Sequence, residues 1–400
     1  MPRRPTVGIY REFLLPASET FILGQAQSLE RFAPVLVGRR RVEGLELGNT
    51  ATELVNRGGS RGGLLEVVHR AGFAPPSFAR RVAARRPALL HAHFGPDALN
   101  ALPLARRLEV PLIVTFHGYD AYQRMDLSEG FNAWRYGRRR ARLGREAACL
   151  VTASEHMRQR LIDLGLPESK LRTHYIGVDT SRFATAPRDQ REPVVLGVGR
   201  LVEKKGFADL IDAMAAVTQT VPGARLVLIG GGPLAGELRA RARQAGLARF
   251  EMTGSLAPAA VARWMRRARV IAVPSVTARS GDTEATTMTV LEGMSSGLPA
   301  VATRHGGIPE TIADGVNGLL VAERDVRGLA AALTAVLTRD QLWDRLSAES
   351  RRVVRQRFDL HEQTRALEDI YLDVLDRAPS FSRSPRRRRG RSPSREARHA

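Results

Sequence analysis

The chain has too few cysteines to staple anything. Cys149 is the only one in 400 residues, so no internal disulfide can form, and such usage fits a reducing compartment. Lysine is almost as scarce: Lys170, Lys204 and Lys205 are the only three. Long apolar runs are missing too. Pro111–Phe116 is typical of the longest, far below the roughly 18 residues that cross a bilayer. Met1–Arg4 leads straight into the strand-like Thr6–Tyr10, without the apolar region of a secretory signal, so a cytoplasmic location is expected. There is no Gly-x-Ser-x-Gly elbow and no Walker loop, which argues against acyl-transfer and P-loop chemistry.

What is present is an ordinary globular balance, 43% hydrophobic and 26% charged, carried on a strong positive excess of +21. A chain of this length exceeds one compact core and predicts two domains. The excess is almost all arginine. Residues 378–400 hold eight arginines against one glutamate, so +7 belongs to that stretch and +14 to the other 377 residues. The run beginning Ser382-Arg-Ser-Pro and continuing through four consecutive arginines lacks the apolar content to fold, and a solvated, self-repelling tail is expected. Its ligand would be phosphate, on an anionic membrane or on nucleic acid. A dispensable extension is the alternative, and nucleic acid is not expected as the primary partner.

Short β-branched runs alternate with helical patterns. Strands are predicted at Thr6–Tyr10, Val35–Val37, Ala88–Phe94, Leu112–His117, Leu150–Ser154 and Arg172–Ile176, with amphipathic stretches such as Trp134–Ala147 between them. Asp179–Pro193 has no periodicity and two prolines. A second series follows at Val194–Gly199, Leu226–Gly230, Phe250–Thr253, Val270–Val273, Ala300–Thr303 and Leu319–Val321. Helices are predicted over Phe207–Thr218, Leu234–Gln244 and Asp325–Thr338. Glu362–Leu375 sets Ala366, Leu367, Ile370, Tyr371, Val374 and Leu375 on one helical stripe that must pack on something. The fold class is therefore α/β, with two Rossmann-like doubly wound halves. The expected boundaries are residues 1–180, a linker 181–193, residues 194–360, a closing helix 361–377 and the tail 378–400. Ligands of open α/β sheets bind beyond the carboxyl ends of the strands, so the site is expected in the cleft between the halves.

Chemistry-bearing residues cluster at those strand ends. After Val270–Val273, Glu284 and Glu292 flank Ala285-Thr286-Thr287 and the start of a helix. Thr286 or Thr287 would cap that helix, and Gly297 would stop it. Two carboxylates so spaced can grip hydroxyls of one extended ligand, or simply face solvent. Gly199-Arg200-Leu-Val-Glu-Lys-Lys205-Gly206 is a glycine turn whose Arg200 and Lys205 can both reach one diphosphate; a solvated basic loop is the alternative. Gly230-Gly-Gly-Pro233 is a weaker turn of the same kind. His117, closing Thr115-Phe-His117-Gly-Tyr-Asp120, can donate to a sugar oxygen, act as acid or base, or be an ordinary strand-end histidine. His91-Ala-His93 and Asp282-Thr-Glu284 are thin metal candidates, without the further ligands a site needs. Cys149 is expected to be buried and inert.

Taken together these residues resemble the retaining glycosyltransferases of family 4. Glu284-x7-Glu292, Gly297-Leu-Pro-Ala-Val-Ala-Thr303 and Gly306-Gly-Ile-Pro-Glu310-Thr-Ile-Ala-Asp314-Gly-Val-Asn-Gly318 look like its donor-site signature. Gly199–Gly206 is similar to its diphosphate turn. Thr115–Asp120 and Ser18-Glu-Thr-Phe-Ile22 resemble motifs of its bacterial exopolysaccharide and colanic-acid branch. The resemblance spans about residues 6–376. It implies a GT-B fold, with a terminal helix crossing back to the first domain, and transfer from a nucleoside diphosphate sugar to a glycan or polyprenyl-linked acceptor with retention. It implies no cofactor and no metal, with Arg200 and Lys205 neutralising the leaving diphosphate. Glu292 would hold ribose hydroxyls, Glu284 and His117 the transferred sugar, and the amides of Ala285, Thr286 and Thr287 the phosphates. Gly199 and Gly230 would let backbone approach the donor. Family members usually carry Gly-Leu-Pro where this chain has Ala285-Thr286-Thr287, and Ala for Gly requires a backbone outside the left-handed region. A non-catalytic sugar-nucleotide binder and an RNA- or membrane-binding protein acting through the tail are the rival readings.

Overall fold

The computed structural model describes residues 4–16, 19–122, 131–285 and 288–377. Ser18, Thr286, Thr287 and the tail 378–400, all singled out above, lie outside the described residues.

Two parallel sheets organise the chain. The first has strands β1 (Thr6–Leu14), β2 (Ala33–Arg41), β3 (Ala51–Leu54), β4 (Pro87–His93), β5 (Leu112–Phe116), β6 (Cys149–Thr152) and β7 (Leu171–Thr173), ordered β3-β2-β1-β4-β5-β6-β7. The second has β8 (Val194–Val198), β9 (Arg225–Ile229), β10 (Phe250–Gly254), β11 (Val270–Val273), β12 (Ala300–Thr303) and β13 (Leu319–Val321), ordered β10-β9-β8-β11-β12-β13. Both orders reverse direction beside the first strand, the doubly wound pattern the alternation predicted. Helices cover both faces, which is why Leu112–Phe116 and Val270–Val273 are buried at every position.

Three expectations need correction. β1 runs four residues past Tyr10, pairing through Phe13 with Arg40 and Leu14 with Arg41 on β2. Arg11 and Glu12, left out of the expected strand, are both part of it and buried. Arg11 bonds Glu19 and Asp97, while Glu12 pairs with Arg39 at 2.7 Å and accepts from Asn100 at 3.0 Å. β3 was not foreseen. It is a four-residue edge strand whose Glu53 pairs with Arg85 at 2.8 Å. The terminal helix Leu360–Arg377 buries Thr364, Leu367, Glu368, Tyr371 and Val374 and leaves Ala366 exposed. Glu368 belongs inside because its carboxylate accepts the amides of Arg31 at 2.7 Å and Phe32 at 3.1 Å.

That helix packs on the first sheet. Leu367, Tyr371 and Val374 share a core with Val7, Ile9 and Leu36, and Tyr371 bonds His91 Nδ1 at 2.6 Å. The chain thus leaves the second half and closes on the first, as the apolar stripe demanded. Along the connecting segment, Arg191 is buried and donates to the carbonyls of Met265, Ala268 and Ser296, tying the segment to the second half. No described helix is long and apolar enough to cross a membrane.

Candidate functional site

The carboxyl ends of the two sheets meet. A Cβ on Gly118, just after β5, would lie 3.8 Å from the Thr283 carbonyl, and one on Gly281 would lie 3.5 Å from that of Tyr122. Between them opens a cavity of about 540 Å3. Tyr122, His156, Gln159 and Arg160 line it from the first half, and Arg279, Gly281 and Thr283 from the second.

On the second-half wall the glycine turn is held by close backbone packing. Gly206 has φ +63°, and a Cβ there would stand 1.7 Å from the Pro274 carbonyl oxygen. Gly230 has φ +142°, with its Cβ position 1.9 Å from the Gly199 carbonyl oxygen. No other residue fits either place without backbone movement. This packing brings the turn against the loop after β11. There Lys205 Nζ lies 2.9 Å from Glu284 Oε1, and Lys204 lies 3.1 Å from Asp282. The residues of the thin metal clasp, Asp282 and Glu284, therefore each face an ammonium. Burial pushes the Glu284 carboxyl up, but Lys205 and then Lys204 overcome it and hold the group below its ordinary range. Gly199 sits beside this pair, its Cβ position 3.0 Å from Lys205 Cε.

Glu284 is aimed by a histidine that sequence reasoning missed. Its backbone N–H donates to His305 Nε2 at 3.1 Å, so the His305 proton is on Nδ1 and points to Glu323 Oε1 at 2.6 Å. Glu323 also accepts the Thr277 amide at 2.8 Å. Burial raises the Glu323 carboxyl, but that amide and His305 bring it below its usual value. The signal was available, since His305 directly precedes Gly306-Gly. A Cβ on Gly306, at φ +52°, would stand 2.0 Å from the Glu284 carbonyl.

Ala285 is buried and joins the first half's core cluster. It is absent from the residues with left-handed backbone, so its methyl meets no conformational objection. Arg200 is exposed and forms no ion pair among the described residues. Glu292, on the helix Met288–Ser295, forms no hydrogen bond or ion pair with Glu284, Arg200 or Lys205. Burial pushes its carboxyl up to about 7 against the pull of Arg182.

At the carboxyl ends of β4 and β5 the first half carries histidines that burial holds neutral. His117 Nε2 shares a 2.9 Å hydrogen bond with His93 Nδ1, and His117 Nδ1 is buried with no partner. Phe21 and Phe94 flank the ring at 5.0 and 4.7 Å. Burial, reinforced by neighbouring histidines and Arg11, holds both His93 and His117 well below the usual imidazole range. His91 spends both nitrogens on Tyr371 and Thr115, while His93 gives Nδ1 to His117. The loop carrying His117 is shaped by Asp120, another residue given no role above. Its carboxylate accepts the amides of Gly95, His117 and Gly118. Cys149 is buried, which pushes its thiol up to about 11, away from reactivity.

One contact latches the halves together. Glu310, from the Gly-Gly-Ile-Pro-Glu segment, accepts the amides of Glu155 and His156, each at 2.8 Å, and the Tyr175 hydroxyl at 3.0 Å. It thereby neutralises the start of the helix Glu155–Asp163.

Comparison with known proteins agrees with this architecture. Residues 192–339 match the family described as Glycosyl transferases group 1, and residues 26–182 that described as Glycosyltransferase Family 4. A putative colanic acid biosynthesis glycosyltransferase of Escherichia coli is 33% identical over 252 residues, 61% of this chain and 60% of the relative. The chain thus spans about three-fifths of that relative's length. A GDP-mannose-dependent alpha-(1-6)-phosphatidylinositol monomannoside mannosyltransferase of Mycolicibacterium smegmatis is 33% identical over 278 residues, covering 64% of this chain and 71% of the relative. Among solved structures, Anabaena HepE in complex with UDP-glucose superposes with a TM-score of 0.74 at 21% identity, over 92% of this chain and 99% of that one. Sucrose-phosphate synthase from Thermosynechococcus elongatus gives 0.71 at 18%, over 93% and 100%. At such identities the likeness establishes the fold, which is GT-B.

Proposed function

The chain belongs to glycosyltransferase family 4, and on that premise we propose that it moves a sugar from a nucleoside diphosphate donor to a glycan or lipid-linked acceptor with retention of configuration, without a metal. The observation that carries the reading is the largely buried Lys205–Glu284 pair at the carboxyl end of the second sheet. At 2.9 Å and an effective dielectric near 20 the attraction is on the order of 5 kcal/mol before desolvation. A diphosphate carries more charge than one carboxylate and would draw the Lys205 ammonium to itself. Glu284 would then be free to accept sugar hydroxyls. Arg200, with no competing partner among the described residues, would join Lys205 in stabilising charge on the leaving group, the task a metal performs elsewhere. The amide of Ala285 would meet the phosphates, and Gly199 and Gly230 would admit the donor. Glu292 would bind ribose hydroxyls as a carboxylate. A neutral His117 would serve as a hydrogen-bonding partner of the sugar and not as a proton donor, since burial keeps its pKa low.

The relatives named for exopolysaccharide and phosphatidylinositol mannoside synthesis, and the UDP-glucose complex of HepE, support a nucleotide-sugar donor and an extracellular-polysaccharide or glycolipid product. A lipid-linked acceptor lies at a membrane surface, so peripheral attachment to an anionic membrane belongs to the same reading. The test offers UDP-, GDP- and ADP-sugars and follows nucleotide release. Turnover unchanged in both Lys205→Ala and Glu284→Ala would overturn the assignment. EDTA should leave the rate unaltered; strong inhibition would restore a metal at Asp282 and Glu284.

A further inference from the structure

The helix Gly59–Arg70 carries two apolar stripes where the fold needs only one. Its inner side packs Leu65 against the core and buries His69, whose ring bonds the Tyr10 hydroxyl at 2.6 Å. The outer stripe is Leu64, Val67 and Val68, at spacings of three and four, and Phe73 follows in the turn beyond. These four are 66%, 64%, 36% and 64% exposed, and they make up most of the large hydrophobic side chains left in water among the described residues. Scattered apolar residues need no explanation, but a stripe gathered on one helix does.

Positive charge surrounds the stripe. Arg61 and Arg70 are exposed on the same helix. Phe73 lines a groove of about 640 Å3 together with Arg106, Arg107, Arg139 and Arg142. Glu146 engages Arg106 and Arg142, whereas Arg70, Arg107 and Arg139 have no ion pair among the described residues. Aliphatic side chains gain nothing from a nucleic-acid backbone. A rim of unpaired arginines repels a second copy of the same face. An apolar stripe bordered by cations matches an anionic bilayer, where the side chains enter the acyl boundary and the guanidinium groups stay with the headgroup phosphates.

We propose that Leu64, Val67, Val68 and Phe73, with the arginines around them, dock this protein on the surface of an anionic membrane. The proposal rests on the reading of a lipid-linked acceptor and adds the face of the first domain that meets the lipid.

The experiment is flotation of the full chain with vesicles of phosphatidylcholine alone or mixed with phosphatidylglycerol, comparing wild type with the double variant Leu64→Glu, Val67→Glu. Both positions are solvent-exposed, so the fold should persist, and an unchanged circular-dichroism spectrum and melting temperature verify it. Wild type is expected to float far more strongly with the anionic vesicles than with phosphatidylcholine alone, and the variant's partitioning should fall by about tenfold or more. Raising salt from about 0.1 M to about 1 M should weaken wild-type binding without abolishing it, because the apolar part is unscreened. A chain shortened to residue 377 should still float, since the tail is not the anchor. Equal flotation of variant and wild type overturns the proposal. So does a wild-type dimer that the variant loses in light scattering, or RNA retention that falls with the same substitutions. Nucleotide release with a soluble acceptor is read in parallel: if it survives in a wild type that fails to float, the docking face fails and the transfer reaction stands.

Discussion

The two walls of the cleft are built on opposite electrical plans. The first half holds imidazoles kept neutral by burial and hydrogen-bonded to one another, with Arg11, Glu12, Arg39 and Asp97 locked in a buried network beside them, and it lines the cavity with charges of both signs, Arg160 and Asp163. The second-half wall holds cations at the surface of a glycine turn, each lysine facing a single carboxylate, with Arg200 unpaired. A network in which each charge already has its partner gains little from a ligand. A lone carboxylate on an ammonium is exchangeable for a phosphate. The proposed reading follows this difference: the anionic end of a donor would lie on the second half and neutral hydroxyls on the first.

The largest expected effect comes from removing an exchangeable charge. Lys205→Ala should lower turnover by about 10^2 to 10^3, the range seen when a preorganised group facing developing negative charge is lost. Steady-state nucleotide release measures it. A loss smaller than that from His117→Ala would invert the comparison.

Next comes the backbone that positions the charge. Gly206→Ala would press a methyl into the Pro274 carbonyl at left-handed φ, whereas Gly165→Ala, at φ +82° in the first half, meets nothing within 4 Å. The first should cost about 3 kcal/mol or more and the second about 1 kcal/mol. Denaturant melts of both variants would show equal losses if the turn is less constrained than its geometry indicates.

The pH dependence of Glu292 ranks third. Its carboxyl is raised to about 7 from 4.5, so the folded chain holds the proton longer than the unfolded chain. Its contribution to stability should therefore fall as pH rises from 4.5 through 7 and level off above, and Glu292→Gln should remove that part of the slope, leaving the part from buried Asp97, which is likewise raised to about 7. If the carboxylate receives ribose hydroxyls, the donor KM should rise by up to about tenfold from pH 8 to pH 6 in the wild type and stay flat in the variant.

The smallest effect belongs to the first half. Tyr371→Phe removes the partner of His91 Nδ1 and should cost about 1 kcal/mol, read by denaturant melts, with turnover nearly unchanged. A large loss of activity would mean that the histidine row transmits to the site.

Much of the candidate site is legible in the sequence. Glu284, Arg200, Lys205, Gly199 and Gly230 stand out as candidates because strand ends and glycine turns lie where open sheets expose ligand groups. His305, Glu323, Asp120 and Glu310 do not, although three of them sit inside or beside quoted motifs. They act by orienting backbone amides or by bridging distant segments, and one-dimensional spacing carries no trace of such a partner. The ends of β1 and the burial of Glu368 escaped for the same reason: a charged residue reads as surface until its counter-charge, hundreds of positions away in the case of Glu368, is seen.

By itself the sequence determined two doubly wound halves, a returning helix and the residue types at the cleft. Apolar periodicity and glycine placement are local properties, and they limit the chain to few arrangements. Only the tertiary structure decided that Lys205 faces Glu284, that burial holds His93 and His117 below the usual imidazole range, and that the stripe from Leu64 to Phe73 is exposed among the described residues. Ion pairing, desolvation and exposure depend on what else arrives at the same place, and that is settled when distant segments pack.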